Sequence, residues 1–526
     1  MIFKRACIIL LVSLLFSGCP ESTGSTPLPS DKPSEWPSDG VNGGTVTLTV
    51  GRKHAFTLPA DFDGKTVTWK SRNTNIATVD SVGNIKAVGI SSRGSNTYVS
   101  GAGTGSTTVM ASAPDVSNYF FTVNTTTAGT EDIMNLSPMK NADQIGKHFP
   151  LVGNIFNPGD INGTGTSGTD FTGTNGLALK RHYNILTMEN NMKPGYLISG
   201  RNNTTGALTW NTANRDTANR MINGARAQNV QIVGHALLWH SQNPNWVWEQ
   251  IATKSGAAKA DKETALEAMR TYITTVVTHF QGKIYSWDVL NEVFPDNASR
   301  SNANSWKTAM RKGASGEGQD ANPWFVAIGS DFVYEAFLAA RLADPNAILY
   351  YNDYNTDNST RADLIRDMAL AVNNQYKAAY PSASHSNNGT RNLIEGIGMQ
   401  EHHNLSVQAN SVRTTLSKFR AIGVKVAVSE LDVLGNASYG AFSSSTGAGI
   451  NKHGSSAVTN TQLVTQAQRF AEYMAVYIEY KDIIERISLW GVTDNNSWRS
   501  GGLPLLFDKD GKAKPAYYRF LEAAAQ

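Results

Sequence analysis

The chain has 526 residues, of which 40% are hydrophobic and 17% are charged, and its formal net charge is +3. This length is too great for one ordinary domain and suits a large domain with a smaller one, and the apolar content is sufficient for packed cores. The small net charge, with no run of Lys or Arg beyond the N-terminus, argues against nucleic acid or an anionic membrane face as a partner and favours a neutral one.

The first residues have the pattern of a targeting signal. A positively charged start precedes an apolar run over residues 6–16, and two small residues stand immediately before Cys19. This resembles the cleavage box of bacterial lipoproteins and predicts removal of residues 1–18 and acylation of Cys19, with the chain held at an outer membrane or cell surface. A simple secretory peptide cut elsewhere is the alternative, because Phe16 stands where the lipoprotein box usually has an aliphatic residue. Cys7 is the other cysteine, so the mature protein would carry no disulfide.

Two segments of different composition follow the signal. Residues 19–44 are rich in Ser, Thr, Pro, Gly and Asp, which predicts a flexible linker. Residues 45–124 consist of short alternating segments separated by Gly, Asn and Asp, which predicts a small all-β sandwich. Within it, residues 67–71 (VTWKS) and 75–80 (NIATVD) resemble the bacterial Ig-like group 2 domain. We expect Trp69 to fill the sandwich core rather than bind sugar, and the domain to be a spacer or adhesion module.

From residue 138 to residue 526 strand and helix patterns alternate, which is typical of βαβ units. Eight apolar strand candidates begin near Leu151, Asn184, Gln231, Ile284, Ala347, Ile394, Val424 and Ile487. Helical periodicity follows at residues 218–227, 265–280, 332–342, 364–376, 412–422, 464–480 and 516–523. The helix after the first strand is the weakest, since residues 163–175 have the composition of a long Gly/Thr-rich loop. The pattern favours an α/β fold of the (β/α)8 TIM barrel type over a doubly wound sheet, because no Gly-rich phosphate loop opens any helix.

The predicted strand ends carry polar and aromatic residues, as the active site of a barrel requires. These segments are 189–193 (ENNMK), 235–242 (HALLWHSQ), 287–292 (WDVLNE), 352–355 (NDYN), 400–403 (QEHH), 429–432 (SELD) and 490–494 (WGVTD). Glu292 and Glu430 end strands four and seven. Hydrolysis of an acetal needs two carboxyl groups, one to protonate the leaving oxygen and one to stabilise or attack the anomeric carbon. Spacing alone does not assign the two roles, and either glutamate taken singly could belong to a structural ion pair.

Together these segments resemble glycoside hydrolase family 10, the endo-β-1,4-xylanases, over residues 138–526. WDVLNE is similar to the acid/base strand of that family, and residues 423–432 (GVKVAVSELD) are similar to its nucleophile signature. The resemblance implies that Glu292 is the acid/base, that Glu430 is the nucleophile, and that xylan or xylo-oligosaccharides are cleaved with retention and without a cofactor. It also implies substrate contacts from Glu189, Asn190, Lys193, His235, His240, Asn291, Gln400, His402, Trp490 and Trp498, with Asn291 at the sugar 2-hydroxyl.

The neighbours of the two glutamates fit this division of roles. Apolar residues precede Glu292 and favour its protonated form, whereas His402 can hydrogen-bond Glu430 and keep it ionised. Asp432 is expected to orient a neighbour rather than to catalyse.

The histidines of these segments do not have the spacing of a metal site, and two of the tryptophans have apolar neighbours. His235 and His240 are five apart and should point to opposite faces, and the adjacent His402 and His403 should diverge, so no catalytic metal is predicted. Trp239 and Trp287 have apolar neighbours and are expected to pack within the barrel.

Three segments depart from the family pattern: the loop after strand one and residues 307–322 and 435–460. We expect them to lie on the active-site side and to shape the cleft. Two other functions compete with xylan hydrolysis: a β-1,4-glucanase on a related barrel, and a surface glycan-binding protein without catalysis. The presence of both glutamates argues against the second. A monomer that binds no nucleic acid is expected.

Overall fold

The computed structural model describes residues 36–37, 39–88, 104–313, 320–381, 390–436 and 457–525. The predicted signal, both cysteines and most of the segment 435–460 therefore lie outside the described residues.

The N-terminal part is built from strands. They are β1 (Val41–Thr49), β2 (Lys53–Ala55), β3 (Thr68–Ser71), β4 (Ala77–Val79), β5 (Asn84–Ala87), β6 (Gly105–Ser112) and β7 (Tyr119–Thr126). One sheet has the order β1-β7-β6-β3 and the other the order β2-β5-β4. Leu48, Ile85 and Val123 form part of the core between the sheets, and Trp69 packs against it. The alternating pattern thus forms a small sandwich, whose first strand starts within the stretch predicted as linker.

The larger part contains a closed parallel barrel. Its strands, with their accessories, are β8 (Leu151–Phe156), β9 (Ile185–Met188), β10 (Ile198–Arg201), β11 (Leu208–Trp210), β12 (Gln231–Leu238), β13 (Ser286–Asn291), β14 (Ile348–Asp353), β15 (Gly396–Met399), β16 (His402–Asn404), β17 (Lys425–Leu434) and β18 (Ile484–Leu489). The barrel order is β8-β9-β12-β13-β14-β15-β17-β18, and the pairing of β18 with β8 completes the ring. Strands β10 and β11 form a separate hairpin, and β16 adds to β17 beyond β15. The predicted TIM barrel is confirmed, with every strand starting within about three residues of its expected position.

Helices surround the barrel. They are α1 (Gly173–His182), α2 (Pro194–Leu197), α3 (Thr212–Ala227), α4 (Asn245–Gln250), α5 (Lys262–His279), α6 (Pro323–Ile328), α7 (Asp331–Ala343), α8 (Ser359–Ala379), α9 (Ala409–Ala421), α10 (Asn460–Glu479) and α11 (Pro515–Ala525). Helix α1 begins inside the segment that we predicted as a loop. Gly and Thr are weak helix formers, so local propensity does not account for α1. Burial of Ala178 and Leu179 against the barrel stabilises it.

The sandwich lies against the last helix of the barrel. The carboxylate of Glu131 accepts hydrogen bonds of 2.7 Å from Arg52 of the sandwich and from the Tyr518 hydroxyl of α11. Lys86 of the sandwich forms an ion pair of 2.5 Å with Glu522, also on α11. These contacts join the two parts along one side of the barrel.

None of the helices in the described residues combines the length and the apolar character that a bilayer crossing requires. No group of three or more His, Cys, Asp or Glu side chains in the same residues is arranged to hold a metal ion.

Candidate active site

A cavity of about 470 Å³ opens among residues that lie near or just beyond the carboxyl ends of the barrel strands. Every predicted catalytic and substrate-binding residue lines it: Glu189, Asn190, Lys193, His235, His240, Asn291, Glu292, Gln400, His402, Glu430, Trp490 and Trp498. Four further residues line the same cavity and were not predicted: Trp239, Ser241, Gln242 and Asp320. Residues separated by up to 309 positions in the sequence therefore meet in one place, because the parallel strands all end on the same side of the barrel.

The backbone of Glu292 turns sharply at the end of β13. Its φ angle is 54°, in the left-handed region that residues other than glycine rarely adopt. The Glu292 amide donates to the Asn352 carbonyl at 3.0 Å, and the Glu292 carbonyl accepts from Arg311 Nε at 2.9 Å. Hydrogen bonds on both sides of the residue thus hold this conformation, in which the carboxyl group lines the cavity.

The Glu292 carboxyl group has three close donors. Trp239 Nε1 donates to Oε2 at 2.9 Å, Gln400 Nε2 donates to Oε1 at 2.8 Å, and Asn291 Nδ2 lies 3.2 Å from the same Oε1. The prediction that Trp239 packs within the barrel is wrong. Strand β12 ends at Leu238, so Trp239 lies just beyond it and its half-buried ring lines the cavity. Trp287, by contrast, has no exposed surface and packs in the core as predicted.

Glu430 lies within β17 and its carboxylate is held by two side chains. Asn352 Nδ2 donates to Oε1 at 2.7 Å, and His402 Nε2 lies 3.1 Å from Oε2. Burial raises the pKa of Glu430, but the hydrogen bond from His402 and the charges of His235 and His402 outweigh it, so the pKa lies below the ordinary value. Glu430 is therefore ionised at neutral pH, as a nucleophile must be.

Two carboxylates stabilise the protonated, positively charged form of His402. Its Nδ1 lies 3.0 Å from Asp432 Oδ2, and its Nε2 faces Glu430. Burial alone would lower the pKa of His402. Asp432 and Glu430 raise it by more than burial lowers it, so the pKa lies at about 9. Asp432 thus contacts His402 and not the cavity, which agrees with the orienting role that we expected.

Asn352 connects the two catalytic candidates. Besides Glu430, its Nδ2 contacts Asn291 Oδ1 at 3.0 Å, and its own Oδ1 accepts from Ser429 Oγ at 2.7 Å. Gly398 on the next strand leaves room for this amide, since a Cβ atom there would lie 2.1 Å from Asn352 Oδ1. Asn352 belongs to the strand-end segment NDYN, and the sequence pattern predicts no role for it. Its position at the end of a barrel strand was the signal that could have identified it.

The prediction that His235 and His240 point to opposite faces is wrong, because both line the cavity. The register of β12 against β13 shifts between His235 and Leu238, where the strand ends, so regular alternation does not apply. His235 Nδ1 contacts Asp288 Oδ2 at 2.9 Å. His402 and His403 do diverge, since His403 Nε2 lies 2.9 Å from Glu401.

Polar side chains form one end of the cavity. Glu189 accepts a hydrogen bond of 2.7 Å from Asn157, and Lys193 Nζ donates to Asn190 at 3.2 Å. The Lys193 ammonium also lies 5.1 Å from the centre of the Trp239 ring. Burial lowers the pKa of Lys193, and the nearby carboxylates of Glu430, Glu189 and Glu292 act in the opposite direction. This end offers donors and acceptors suited to sugar hydroxyl groups.

Two tryptophans after β18 form an apolar wall. Trp490 is 5% exposed and Trp498 is 38% exposed, and the Trp498 ring centre lies 5.3 Å from that of His402. The loop that carries them is held by a buried ion pair of 3.0 Å between Lys514 and Asp494. A sugar ring bound in the cavity can pack on these indole faces.

The chain matches the family model described as glycosyl hydrolase family 10 over residues 143–523. It is 32% identical over 344 residues to endo-1,4-beta-xylanase A of Thermotoga neapolitana, covering 65% of this chain and 28% of that protein. It is 31% identical over 346 residues to exoglucanase XynX of Acetivibrio thermocellus, covering 64% of this chain and 26% of that protein. The chain thus spans about a quarter of the length of these two relatives.

A solved structure resembles almost the whole chain. It is a bacterial Ig-like domain containing GH10 xylanase from termite gut, with a TM-score of 0.76 and 46% identity, and the match covers 91% of this chain and 98% of that one. The likeness therefore extends over the sandwich as well as the barrel.

Proposed function

This chain belongs to glycosyl hydrolase family 10, and from that membership and the cavity we propose that it is an endo-β-1,4-xylanase that cleaves internal bonds of xylan with retention. The observation that carries the proposal is the presence of two carboxyl groups in one cavity, each held by its own set of side chains. Glu430 is kept ionised by His402 and Asn352. The Glu292 carboxyl group accepts hydrogen bonds from Trp239 and Gln400 and lines the same cavity, and the family resemblance implies its role as the acid. The names of the relatives and of the termite-gut xylanase support the substrate.

The reaction follows a double displacement. Glu292 gives its proton to the glycosidic oxygen while the bond between that oxygen and the anomeric carbon breaks, and the Glu430 carboxylate forms a bond to the same carbon. The leaving chain departs with the proton. Glu292, now ionised, removes a proton from water, whose oxygen attacks the anomeric carbon and releases Glu430. Asn291 contacts Glu292 directly and is linked to Glu430 through Asn352, and it is placed to hold the sugar 2-hydroxyl through the transition state.

Proton NMR of the anomeric signals tests this proposal. Wild-type protein and Glu430→Ala are incubated separately with linear β-1,4-xylo-oligosaccharides. We expect the β-anomer to appear first with the wild type and no new anomeric signal with the variant. Early α-anomer would contradict retention, and unchanged hydrolysis by Glu430→Ala would contradict the role of Glu430. Binding without any cleavage by the wild type would favour the surface glycan-binding protein.

A β-1,4-glucanase is the second candidate, because one relative of similar identity is named an exoglucanase. Glucose differs from xylose by one hydroxymethyl group, and a difference of that size is worth only about 1–3 kcal/mol in discrimination. The same NMR experiment with cello-oligosaccharides separates the two candidates. A larger kcat/KM for the cello-oligosaccharides would show that a β-1,4-glucan, and not xylan, is the substrate.

We propose that the chain is lipidated at Cys19 after removal of residues 1–18 and is anchored as a monomer to the outer membrane or cell surface of a bacterium. The order of charged, apolar and small residues before Cys19 supports the anchor. A surface position also suits a polymer too large to cross a porin. Radiolabelled palmitate should be incorporated into the wild type and not into Cys19→Ser. Label in both would contradict this site, and sedimentation of the released protein tests the monomer.

We propose that residues 45–124 are a bacterial Ig-like domain that serves as a spacer. The two stacked sheets and the similar termite-gut xylanase support this assignment. Pull-down of the full chain on insoluble xylan, compared with a variant in which Trp69 is replaced by Phe, tests whether this domain binds sugar. Equal binding is expected, and a loss confined to Trp69→Phe would assign the domain a binding role.

A further inference from the structure

Arg499 is a buried cation that the reaction described above does not use. It is 1% exposed and directly follows Trp498 of the cavity wall. Its Nη1 donates to Asp432 Oδ1 in a buried ion pair and to the backbone carbonyl of His403 at 3.3 Å. One side chain therefore reaches from the loop after β18 to the strands that carry the nucleophile and its histidine.

These contacts form a line of alternating charges that ends at the nucleophile. Arg499 contacts Oδ1 of Asp432, whose Oδ2 lies 3.0 Å from His402 Nδ1, and His402 Nε2 lies 3.1 Å from Glu430. All four side chains are buried. The other ionisable groups that face this line are Lys193, His235, Glu292 and His403.

Without Arg499, Asp432 would be a buried anion whose only charged partner is His402. A carboxylate that loses its partner in a buried position takes up a proton or moves toward solvent. Either change would weaken the hold on His402, whose position and charge support Glu430. The line works as a unit, since each member is held by the next.

We infer that Arg499 is a positioning residue: it joins the loop of Trp498 to Asp432 and thereby fixes His402 against Glu430. The inference rests on the proposed function for its kinetic test but not for its geometry. The sugar-stacking wall and the charge state of the nucleophile then depend on one side chain. Displacement of the Trp498 loop would therefore change the surroundings of Glu430, although Trp498 forms no hydrogen bond with that carboxylate.

Lys514 provides a matched control, because it holds the same loop by other contacts. It is buried, and its ammonium pairs with Asp494 and donates to the carbonyls of Leu503 at 2.6 Å and Leu505 at 2.7 Å. A purely structural role of Arg499 in the loop predicts the same effects for Arg499→Met and Lys514→Met. A role toward Glu430 predicts different pH profiles for the two variants.

The test is the pH dependence of kcat and kcat/KM on xylo-oligosaccharides for the full chain. Arg499→Met removes a buried positive charge, so we expect the acid limb of kcat/KM to move up by about one pH unit and kcat at pH 6 to fall about tenfold or more. Arg499→Lys keeps the charge and should restore the acid limb. Lys514→Met should raise KM and leave the acid limb in place. An unmoved acid limb in Arg499→Met, or equal shifts in both methionine variants, would overturn the inference.

A substrate-free measurement separates this inference from the proposed function. ¹⁵N NMR of the His402 ring follows its protonation with pH in the wild type and in Arg499→Lys, which also serves if Arg499→Met does not fold. We expect His402 to stay charged well above neutral pH in both proteins, with altered ring shifts in the variant because the geometry at Asp432 changes. Identical spectra would overturn the link through Arg499. A wild type that cleaves no xylan would overturn the proposed function alone.

Discussion

Trp239 Nε1 and Glu292 Oε2 are joined by a hydrogen bond of 2.9 Å, although the two residues stand 53 positions apart and follow different strands. The Lys193 ammonium faces the ring of the same indole. This donor restricts the orientation of the carboxyl group that must protonate the leaving oxygen. Orientation of a catalytic group to within a fraction of an ångström is worth a large part of its effect on rate.

Trp239→Phe removes the donor and keeps most of the ring. We expect kcat/KM on xylo-oligosaccharides to fall about twofold to tenfold, since a hydrogen bond to a neutral carboxyl group contributes about 0.5–1.5 kcal/mol. Trp210→Phe is the control, because Trp210 is also half-buried but lies on the hairpin of β10 and β11, outside the cavity. Equal activities of the two variants would contradict the role of the Trp239 donor.

The barrel was predictable because each of its strands is a local apolar run bounded by polar residues, as at Val426 to Val428 between Lys425 and Ser429. Glu292 and Glu430 were found because strand ends meet on one side of such a barrel. Trp239 was misplaced because its apolar sequence neighbours do not reveal that β12 ends one residue earlier. The partners of Asn352 and Arg499 depend on contacts over long sequence separations, which no local pattern encodes.

His402→Gln should change the pH dependence of catalysis. The charge of His402 helps to hold the pKa of Glu430 below its ordinary value, so its removal raises that pKa. We expect the acid limb of kcat/KM to move upward by about one pH unit or more. His403→Gln is the control, as His403 is equally buried but contacts Glu401. An acid limb that moves equally in both variants would show that the effect is not specific to Glu430.

The same histidine should make stability depend on pH. Its pKa rises from 6.5 to about 9 in the folded protein, so its contribution is fully present below about pH 6.5 and is lost as the pH rises through about 9. Thermal unfolding between pH 6 and pH 10 should show a steeper decline of Tm for the wild type than for His402→Gln. Parallel curves would exclude a charged His402 as a stabilising group.

Gly398→Ala should disturb the site through Asn352. The new Cβ would meet Asn352 Oδ1 at 2.1 Å and displace the amide that donates to Glu430. We expect a loss of about 1–3 kcal/mol in stability from overpacking together with at least a tenfold lower kcat. Gly396→Ala on the same strand would instead meet the Tyr350 ring at 2.2 Å. Gly396→Ala should lower stability by a similar amount but leave kcat per folded molecule unchanged. A loss of kcat in Gly396→Ala as large as that in Gly398→Ala would contradict the role of Asn352.

Glu131→Gln should loosen the junction between sandwich and barrel with little effect on either core. The Arg52 and Glu131 side chains are 25% and 30% exposed, so the charge interaction is worth at most about 1 kcal/mol. We expect unchanged xylan hydrolysis and nearly unchanged Tm, but faster proteolysis near residues 127–132. Asp510→Asn, at an exposed ion pair, is the control. Equal cleavage rates in wild type and Glu131→Gln would show that this carboxylate does not secure the junction.

The ion pair between Lys86 and Glu522 joins residues 436 positions apart. A ribosome adds about 5–20 residues per second, so the sandwich waits roughly 20–90 s before the helix that receives it has been made. The sandwich is therefore synthesised well before the helix whose surface it covers, and its attachment can follow only after that helix has been made. In the mature protein, the contacts made last can be the first to open. The sandwich and the barrel can separate at their junction while both cores stay folded.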